Sequence, residues 1–478
     1  MLFNSYTYIS LFLPLTFALY FFLNQRRLIV LAKSWLVFCS MFFYSYWNIR
    51  YLSLILISIL FNYAVGTTLT KKTAGNITDS KHGHFVSRIS KKKILYCGVV
   101  CDLLLLGYFK YADFFISNVM FTTGFQMTFL KVTLPLGISF FTFTQIAYLV
   151  DCYRSECKEY DLLNYVLFVT YFPHLIAGPI LHHKDLMPQF DRVQNKVLNY
   201  RNIATGLYIF SIGLFKKVII ADTFAVWVNN GFDHAITLTF FEAWITALSY
   251  SFQLYFDFSG YIDMATGTSL LFNINLPINF DSPYKAENIQ DFWRRWHITL
   301  SRFLRDYLYI PLGGNQGREL RTYFNLLIAF LLGGLWHGAS WTFVFWGMLH
   351  GLAMIIHRMW AKTNFKISRI FGQFLTFNFV TFTWVFFRAK NWSDAGKVLR
   401  GMVGLDGISL IQFEAIPDIK KKILFLIVFS AVAFLAKNST QLQKSFRPNW
   451  KNATFCLLLM AIGIISLTKV SEFIYFNF

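Results

Sequence analysis

The side chain whose type and setting most suggest chemistry is His337. It stands in the run Leu332-Gly-Gly-Leu-Trp-His-Gly-Ala-Ser-Trp341, inside the longest apolar stretch of the chain. An ionisable residue in such a stretch is costly, which makes it a functional-site candidate by default. Two readings are open. One is a neutral imidazole hydrogen-bonded between helices. The other is a base: an unperturbed pKa of about 6.5 lets the ring take a proton from an attacking hydroxyl near neutral pH and return it to a leaving group. The small residues around His337 admit close approach of another helix or of a substrate, and Trp336 and Ser340, which flank it, are with Trp296 the candidate lining of a core channel. His350 lies thirteen residues on. On one continuous helix of about 3.6 residues per turn it points to nearly the opposite face, so the two form no local pair.

A second candidate, His297, ends the sequence Asp291-Phe-Trp-Arg-Arg-Trp-His297. From Asn288 to Ile310 the apolar residues Ile289, Phe292, Trp293, Trp296, Leu300, Phe303, Leu304, Tyr307 and Leu308 recur at spacings of three and four. That period predicts an amphipathic helix lying in the membrane plane. Its arginines, Arg294, Arg295, Arg302 and Arg305, are planar donors suited either to anionic headgroups or to the phosphates of a donor substrate. No Walker lysine or G-x-G-x-x-G accompanies them, so no nucleotide fold is predicted. Other histidines carry less. His82 and His84 lie in a basic loop, and His182 and His183 follow Gly178-Pro179 at a span end, where a solvated headgroup role is expected. The six cysteines include no C-x-x-C pair, and neither a metal site nor a disulfide framework is indicated.

The elements that must position these residues are membrane helices. Only 14% of residues are charged against about a quarter in soluble domains, while 56% are hydrophobic and 20% aromatic. Eleven apolar runs approach the roughly 20 residues needed to cross hydrocarbon: Tyr6 to Leu23, Trp35 to Trp47, Tyr51 to Leu69, Ile94 to Tyr108, Leu162 to Leu181, Ile203 to Ile220, Phe240 to Phe256, Tyr323 to Ile356, Phe371 to Phe387, Ile423 to Ala436 and Ala453 to Val470. Val132 to Val150 and Tyr261 to Gly313 read instead as broken or in-plane segments. The fold class predicted is an all-α polytopic membrane protein. The net charge of +20 sits between the apolar runs, notably Lys71, Lys72, Lys81, Arg88 and Lys91 to Lys93. Such loops obey the positive-inside bias. They place the first and third loops in the cytoplasm and both termini outside, although Lys420 to Lys422 disagree. A nucleic-acid partner is not required to explain them.

Several stretches taken together resemble the membrane-bound O-acyltransferase (MBOAT) family, of the AlgI-like, alginate O-acetylation type. They are Leu134-Pro-Leu-Gly-Ile-Ser-Phe-Phe-Thr-Phe143, Pro173-His-Leu-Ile-Ala-Gly-Pro179, Tyr255-Phe-Asp-Phe-Ser-Gly-Tyr261 and Asp291 to His297, which runs on through Leu304-Arg-Asp-Tyr-Leu-Tyr-Ile-Pro-Leu-Gly-Gly-Asn315. Leu335-Trp-His-Gly-Ala-Ser-Trp341 and Trp384-Val-Phe-Phe-Arg388 complete the series. Each is weak by itself; their order and spacing carry the resemblance. Departures are small: Thr144 precedes Gln145 where relatives often have two glutamines, and Gln316 stands where a basic residue is common.

The resemblance implies one MBOAT membrane domain over 1–478, with core motifs in 131–390, N-terminal helices in 1–110 and C-terminal helices in 420–478. About 11 to 14 membrane helices, with broken or in-plane helices, would surround a central catalytic channel. It implies His337 as the catalytic histidine, His297 as its partner, and the arginines as contacts for a cytoplasmic acetyl donor, acetyl-CoA, with no bound cofactor and no metal. The acetyl group would cross the plasma (inner) membrane of a bacterium to a polysaccharide such as alginate, with peptidoglycan, cellulose or teichoic acid D-alanylation as alternative acceptor systems. The last six residues, Phe473-Ile-Tyr-Phe-Asn-Phe478, resemble an aromatic tail of this subfamily. They anchor at headgroup level, or Tyr475 accepts the acyl group as a phenyl ester. The chain has neither a G-x-S-x-G elbow nor an external domain to grip a glycan. A separate periplasmic or extracellular acetyltransferase of SGNH type is therefore expected to finish the transfer. A reading of another class, a non-catalytic transporter or flippase, predicts internal repeats, and none is found among these motifs.

Overall fold

A computed structural model describes residues 1–73, 90–157, 161–408, 419–468 and 473–474. The basic loop with His82 and His84, and Tyr475 itself, lie outside the described residues. Every regular element among the described residues is helical. Two compact units share the chain: the first takes Met1–Leu207 and Ala265–Pro277, the second Tyr208–Met264 and Ile278–Phe478.

Among the described residues, five helical stretches are long and apolar enough to cross a membrane: Tyr8–Gln25, Arg50–Lys71, Lys91–Thr123, Tyr200–His234 and Arg369–Arg388. A sixth candidate is the pair Lys420–Leu435 and Ser439–Ser445, bent by 54°. Large apolar side chains such as Leu11, Ile57, Phe115, Phe121 and Phe374 stand exposed on these helices. Water would penalise that surface, whereas lipid does not. The remaining runs fall in helices that are shorter or interrupted by polar groups.

In the first unit, α1 (Leu13–Gln25), α2 (Ile29–Ser45), α3 (Arg50–Thr73), α4 (Lys91–Leu106) and α5 (Ala112–Thr123) precede α6 (Ile138–Tyr153). Gly137, at φ +69°, opens α6. The apolar run Leu162 to Leu181 is not one span: α7 (Leu162–Thr170) stops before the short α8 (Phe172–Leu175), and non-helical chain leads from there to α9 (His183–Asp191). His183 does not face headgroups as expected, whereas His182 is part-exposed. His183 is buried between Tyr148 and Phe168, with ring centroids 5.8 and 5.2 Å away, and His182 Nδ1 lies 3.1 Å from Asp151 Oδ2.

The second unit carries the candidate site. α10 (Tyr200–Phe215) continues through a π turn, Lys216–Ala221, into α11 (Asp222–Asn229), and α12 is the long Phe240–Leu271. Two short helices, α13 (Ile289–Arg295) and α14 (Ile298–Leu304), precede the hairpin of α15 (Glu319–His337) and α16 (Trp341–Trp360). Beyond it lie α17 (Arg369–Arg388), α18 (Trp392–Met402), α19 (Ile419–Leu435), α20 (Ser439–Ser445) and α21 (Trp450–Ile465). Short polar side chains start these helices: Asn288, Ser340, Ser368, Asn391, Asn438 and Asn449 each accept a backbone N–H of the first turn. Such a cap is worth about 1 kcal/mol.

Candidate active site

The amphipathic stretch from Asn288 is not one helix. Phe292, Trp293 and Trp296 face the core as the period predicts, but α13 ends at Arg295, Trp296 is extended, and His297 adopts φ +41°, ψ 55° before α14 begins. A histidine in the left-handed region is strained by the order of 1 kcal/mol. Hydrogen bonds from one facing segment hold it there. Asp281 N–H donates to Arg295 O at 3.0 Å, and Ile298 N–H donates to Asn279 O at 3.0 Å. Asn279 Oδ1 accepts the Thr299 N–H at 3.1 Å and the Thr299 hydroxyl at 2.9 Å.

His297 Nδ1 lies 3.1 Å from the same Asn279 oxygen. A backbone N–H can only donate, so the atom facing Thr299 N must be the amide oxygen. The oxygen in turn can only accept, so His297 carries its hydrogen on Nδ1 and, in the neutral ring, its lone pair on Nε2. The ring is fully buried, edge-on to Phe258 at 4.9 Å and 6.3 Å from Trp336.

His337 is the last residue of α15, and the apolar run breaks immediately after it, at Gly338. The continuous helix that would set His350 opposite is therefore replaced by an antiparallel hairpin. Glycines permit this: a Cβ on Gly334 would stand 2.3 Å from Phe343 O, and one on Gly347 2.3 Å from Phe330 O. The small residues thus admit a helix, α16. Around the His337 ring stand Trp336 (4.9 Å), Phe387 (5.1 Å) and Trp346 (5.3 Å). Trp336 touches both imidazoles and joins the two candidates into one buried cluster. Ser340, expected to line a channel, is the N-cap of α16, accepting Thr342 N–H at 3.3 Å. Trp296, buried within Phe280, Phe292 and Trp384, supports the cluster from behind.

A pocket of about 420 Å³ opens beside this cluster, walled by Trp293 and Phe330 and rimmed by Arg305, Tyr309, Asn315, His357 and Arg358. The Trp293 ring is 5.8 Å from Trp346, which is 5.3 Å from His337, so one indole ring separates pocket wall and imidazole. Trp293 is fixed by a chain of hydrogen bonds. Thr383 Oγ1 donates to Val380 O (2.8 Å), His350 Nε2 lies 3.0 Å from that hydroxyl, and Trp293 Nε1 donates to His350 Nδ1 (3.2 Å). His350, set aside by helical geometry, therefore acts behind the pocket.

Of the four arginines, Arg305 alone lines the pocket, with Nε 2.6 Å from Asp306. Arg295 turns to Asp291 Oδ1 at 2.9 Å and Asp281 O at 3.3 Å, while Arg294 and Arg302 are exposed. Periodicity missed Arg358, whose Nη1 donates to Asn315 Oδ1 at 3.0 Å. Its signal was the basic pair His357-Arg358 ending α16, one helical turn from apolar residues. The chain end also reaches this region: Phe473 is buried, 4.3 Å from Tyr261 and 6.3 Å from the Phe258 ring that packs on His297.

Comparison with known proteins agrees with the motifs. The membrane-bound O-acyltransferase family model matches residues 17–391. The peptidoglycan O-acetyltransferase of Helicobacter pylori is 46% identical over 100% of this chain and 98% of its own. The probable alginate O-acetylase AlgI of Pseudomonas aeruginosa is 40% identical over 84% of this chain and 75% of its own. The teichoic acid D-alanyltransferase of Bacillus subtilis is 28% identical over 53% and 69%.

Proposed function

Because the chain belongs to the membrane-bound O-acyltransferase family and is an acyltransferase, we propose that it moves acetyl from cytoplasmic acetyl-CoA to Tyr475, for delivery to an external glycan. The observation that carries this reading is the buried pair His337 and His297 sharing Trp336, with a basic pocket on one side and the chain end on the other.

The donor's phosphates meet Arg305 and Arg358 at the pocket rim, and its thioester passes the Trp293 wall toward His337. There His337 takes the phenolic proton of Tyr475 as the oxygen attacks the thioester carbonyl. The tetrahedral intermediate collapses by breaking its C–S bond, and the imidazolium returns the proton to the departing sulfur, giving CoA thiol and a phenyl ester. His297, locked with hydrogen on Nδ1, contributes a fixed acceptor at Nε2. An aryl ester has a good leaving group, so an external SGNH-type acetyltransferase takes the acetyl onward to a glycan hydroxyl. The protein sits in the bacterial plasma membrane with both termini outside, which puts Tyr475 on the receiving side.

Peptidoglycan is the first acceptor to examine, because the relative so named matches the whole chain at 46% identity. Alginate is the second reading, favoured by 40% identity to the alginate O-acetylase. Labelled acetyl-CoA supplied to inside-out vesicles tests the donor, the side and the residue together. Wild type should label the C-terminal peptide and the polymer, and His337→Ala neither. Full polymer acetylation by Tyr475→Phe would sink the tyrosine step, and undiminished labelling by His337→Ala would sink the base.

A further inference from the structure

The second unit buries an ion pair that the acyl transfer does not use. Lys217 and Asp257 are almost wholly enclosed, with Nζ 2.7 Å from Oδ1, and Lys217 Nζ also reaches Asp222 Oδ1 at 2.9 Å. Local structure explains the meeting. Lys217 lies in the π turn Lys216–Ala221, which sets Asp222 beside it, and such turns are frequent at functional sites. α10 crosses α12 at Gly213 and Gly260: a Cβ on the first would lie 2.6 Å from Gly260 O, and one on the second 2.9 Å from Gly213 O. Only glycines let the backbones approach closely enough for Lys217 to reach Asp257. Apolar residues of similar volume often serve stability as well as a buried ion pair, so this pair calls for a use.

The two oxygens of Asp257 are divided. Oδ1 takes Lys217, and Oδ2 accepts the backbone N–H of Ile474 at 3.2 Å. Lys217 Nζ stands over the Phe473 ring at 5.8 Å, and Tyr261, one turn along α12 from Asp257, packs on the same ring at 4.3 Å. Main chain and one aromatic ring at the chain end are thus gripped from a single face of α12. The intervening Phe258 packs on His297.

We propose that the Lys217–Asp257 pair is a latch holding the chain's own C-terminal segment beside the histidine cluster, with Asp257 a positioning residue for the residue after Ile474. Its catalytic consequence rests on the reading of Tyr475 as acyl carrier; the docking does not. Lys217 orients the carboxylate so that one oxygen faces the segment.

Hydrogen exchange of the full-length protein in lipid nanodiscs, read at Ile474 in the C-terminal peptide, tests the latch. Wild type should exchange slowly there and Asp257→Asn about tenfold or more faster, as expected for losing one charge-assisted hydrogen bond. If Asp257→Asn does not accumulate, Ile474→Pro removes the N–H alone and Ile474→Ala keeps it. Carboxypeptidase should then trim past Phe473 at least tenfold faster in the proline variant than in the alanine variant. Equal exchange in wild type and Asp257→Asn, or equal trimming of the two Ile474 variants, overturns the latch. Faster exchange in Asp257→Asn, together with full polymer acetylation by Tyr475→Phe, supports the latch and overturns only the acyl-carrier reading.

Discussion

Replacing Asn279 by Leu should abolish acyl transfer while leaving both histidines in the chain. One amide oxygen there accepts three donors: His297 Nδ1–H at 3.1 Å, Thr299 N–H at 3.1 Å and the Thr299 hydroxyl at 2.9 Å. Leucine has nearly the same shape and no acceptor. Each buried donor left without a partner costs about 1–3 kcal/mol. Because the three share one acceptor and the turn relaxes, the sum is about 3–5 kcal/mol. The chemical effect is separate. Without Asn279 nothing in this contact selects the Nδ1–H tautomer, and a hydrogen on Nε2 removes the fixed acceptor that His297 contributes beside the base His337, so the rate should fall by about 10²-fold or more. Label transfer from acetyl-CoA in vesicles measures the rate, and thermal unfolding in detergent measures stability. Thr299→Val is the control: it removes one donor of the three, so it should cost about 1 kcal/mol and leave the rate within about threefold of wild type. Normal transfer by Asn279→Leu at normal protein level would refute the tautomer argument. A rate loss in Thr299→Val as deep as in Asn279→Leu would show that the turn, rather than the imidazole, is what matters.

Three further outcomes follow from the geometry. Arg358→Met should raise the KM for the acyl donor about tenfold, the value of a charge-assisted hydrogen bond of about 1.5 kcal/mol, with kcat little changed; an unaltered KM would remove Arg358 from the donor site. His350→Phe keeps a ring between Trp346 and Phe330 but strands Trp293 Nε1–H. The expected result is a donor KM raised several-fold, and a Michaelis curve identical to wild type would contradict it. Gly347→Ala places a methyl group 2.3 Å from Phe330 O, against backbone that cannot rotate away. Overpacking of this kind costs about 1–3 kcal/mol, read as a lower unfolding temperature in detergent, and an unshifted transition would mean that the hairpin is looser than described.

Much of this protein was legible in one dimension. Apolar runs and scarce charge identify membrane helices because lipid selects composition over every turn, whatever the helices pack against. His337 stood out for the same reason, as an ionisable side chain in a stretch that excludes them. Those signals are local. The same rule, applied to Lys217 and Asp257, marks them as anomalies but cannot pair them, since they lie 40 residues apart and their third partner, Ile474, is 217 residues from Asp257. Nor does periodicity expose a break when the apolar period runs on through it: α13 stops at Arg295 because Asn279 and Asp281, distant in sequence, hold its end. The four arginines were equal on a helical wheel, yet they separate into one at the pocket, one tied to Asp291 and two exposed. Composition and spacing therefore determined the solvent of this chain, its helical class and its principal candidate histidine. The tautomer of His297, the fate of each arginine and the grip on the chain end were decided by tertiary structure. Hydrogen bonds and ion pairs are directional contacts between residues far apart in sequence, and only the folded backbone sets their geometry.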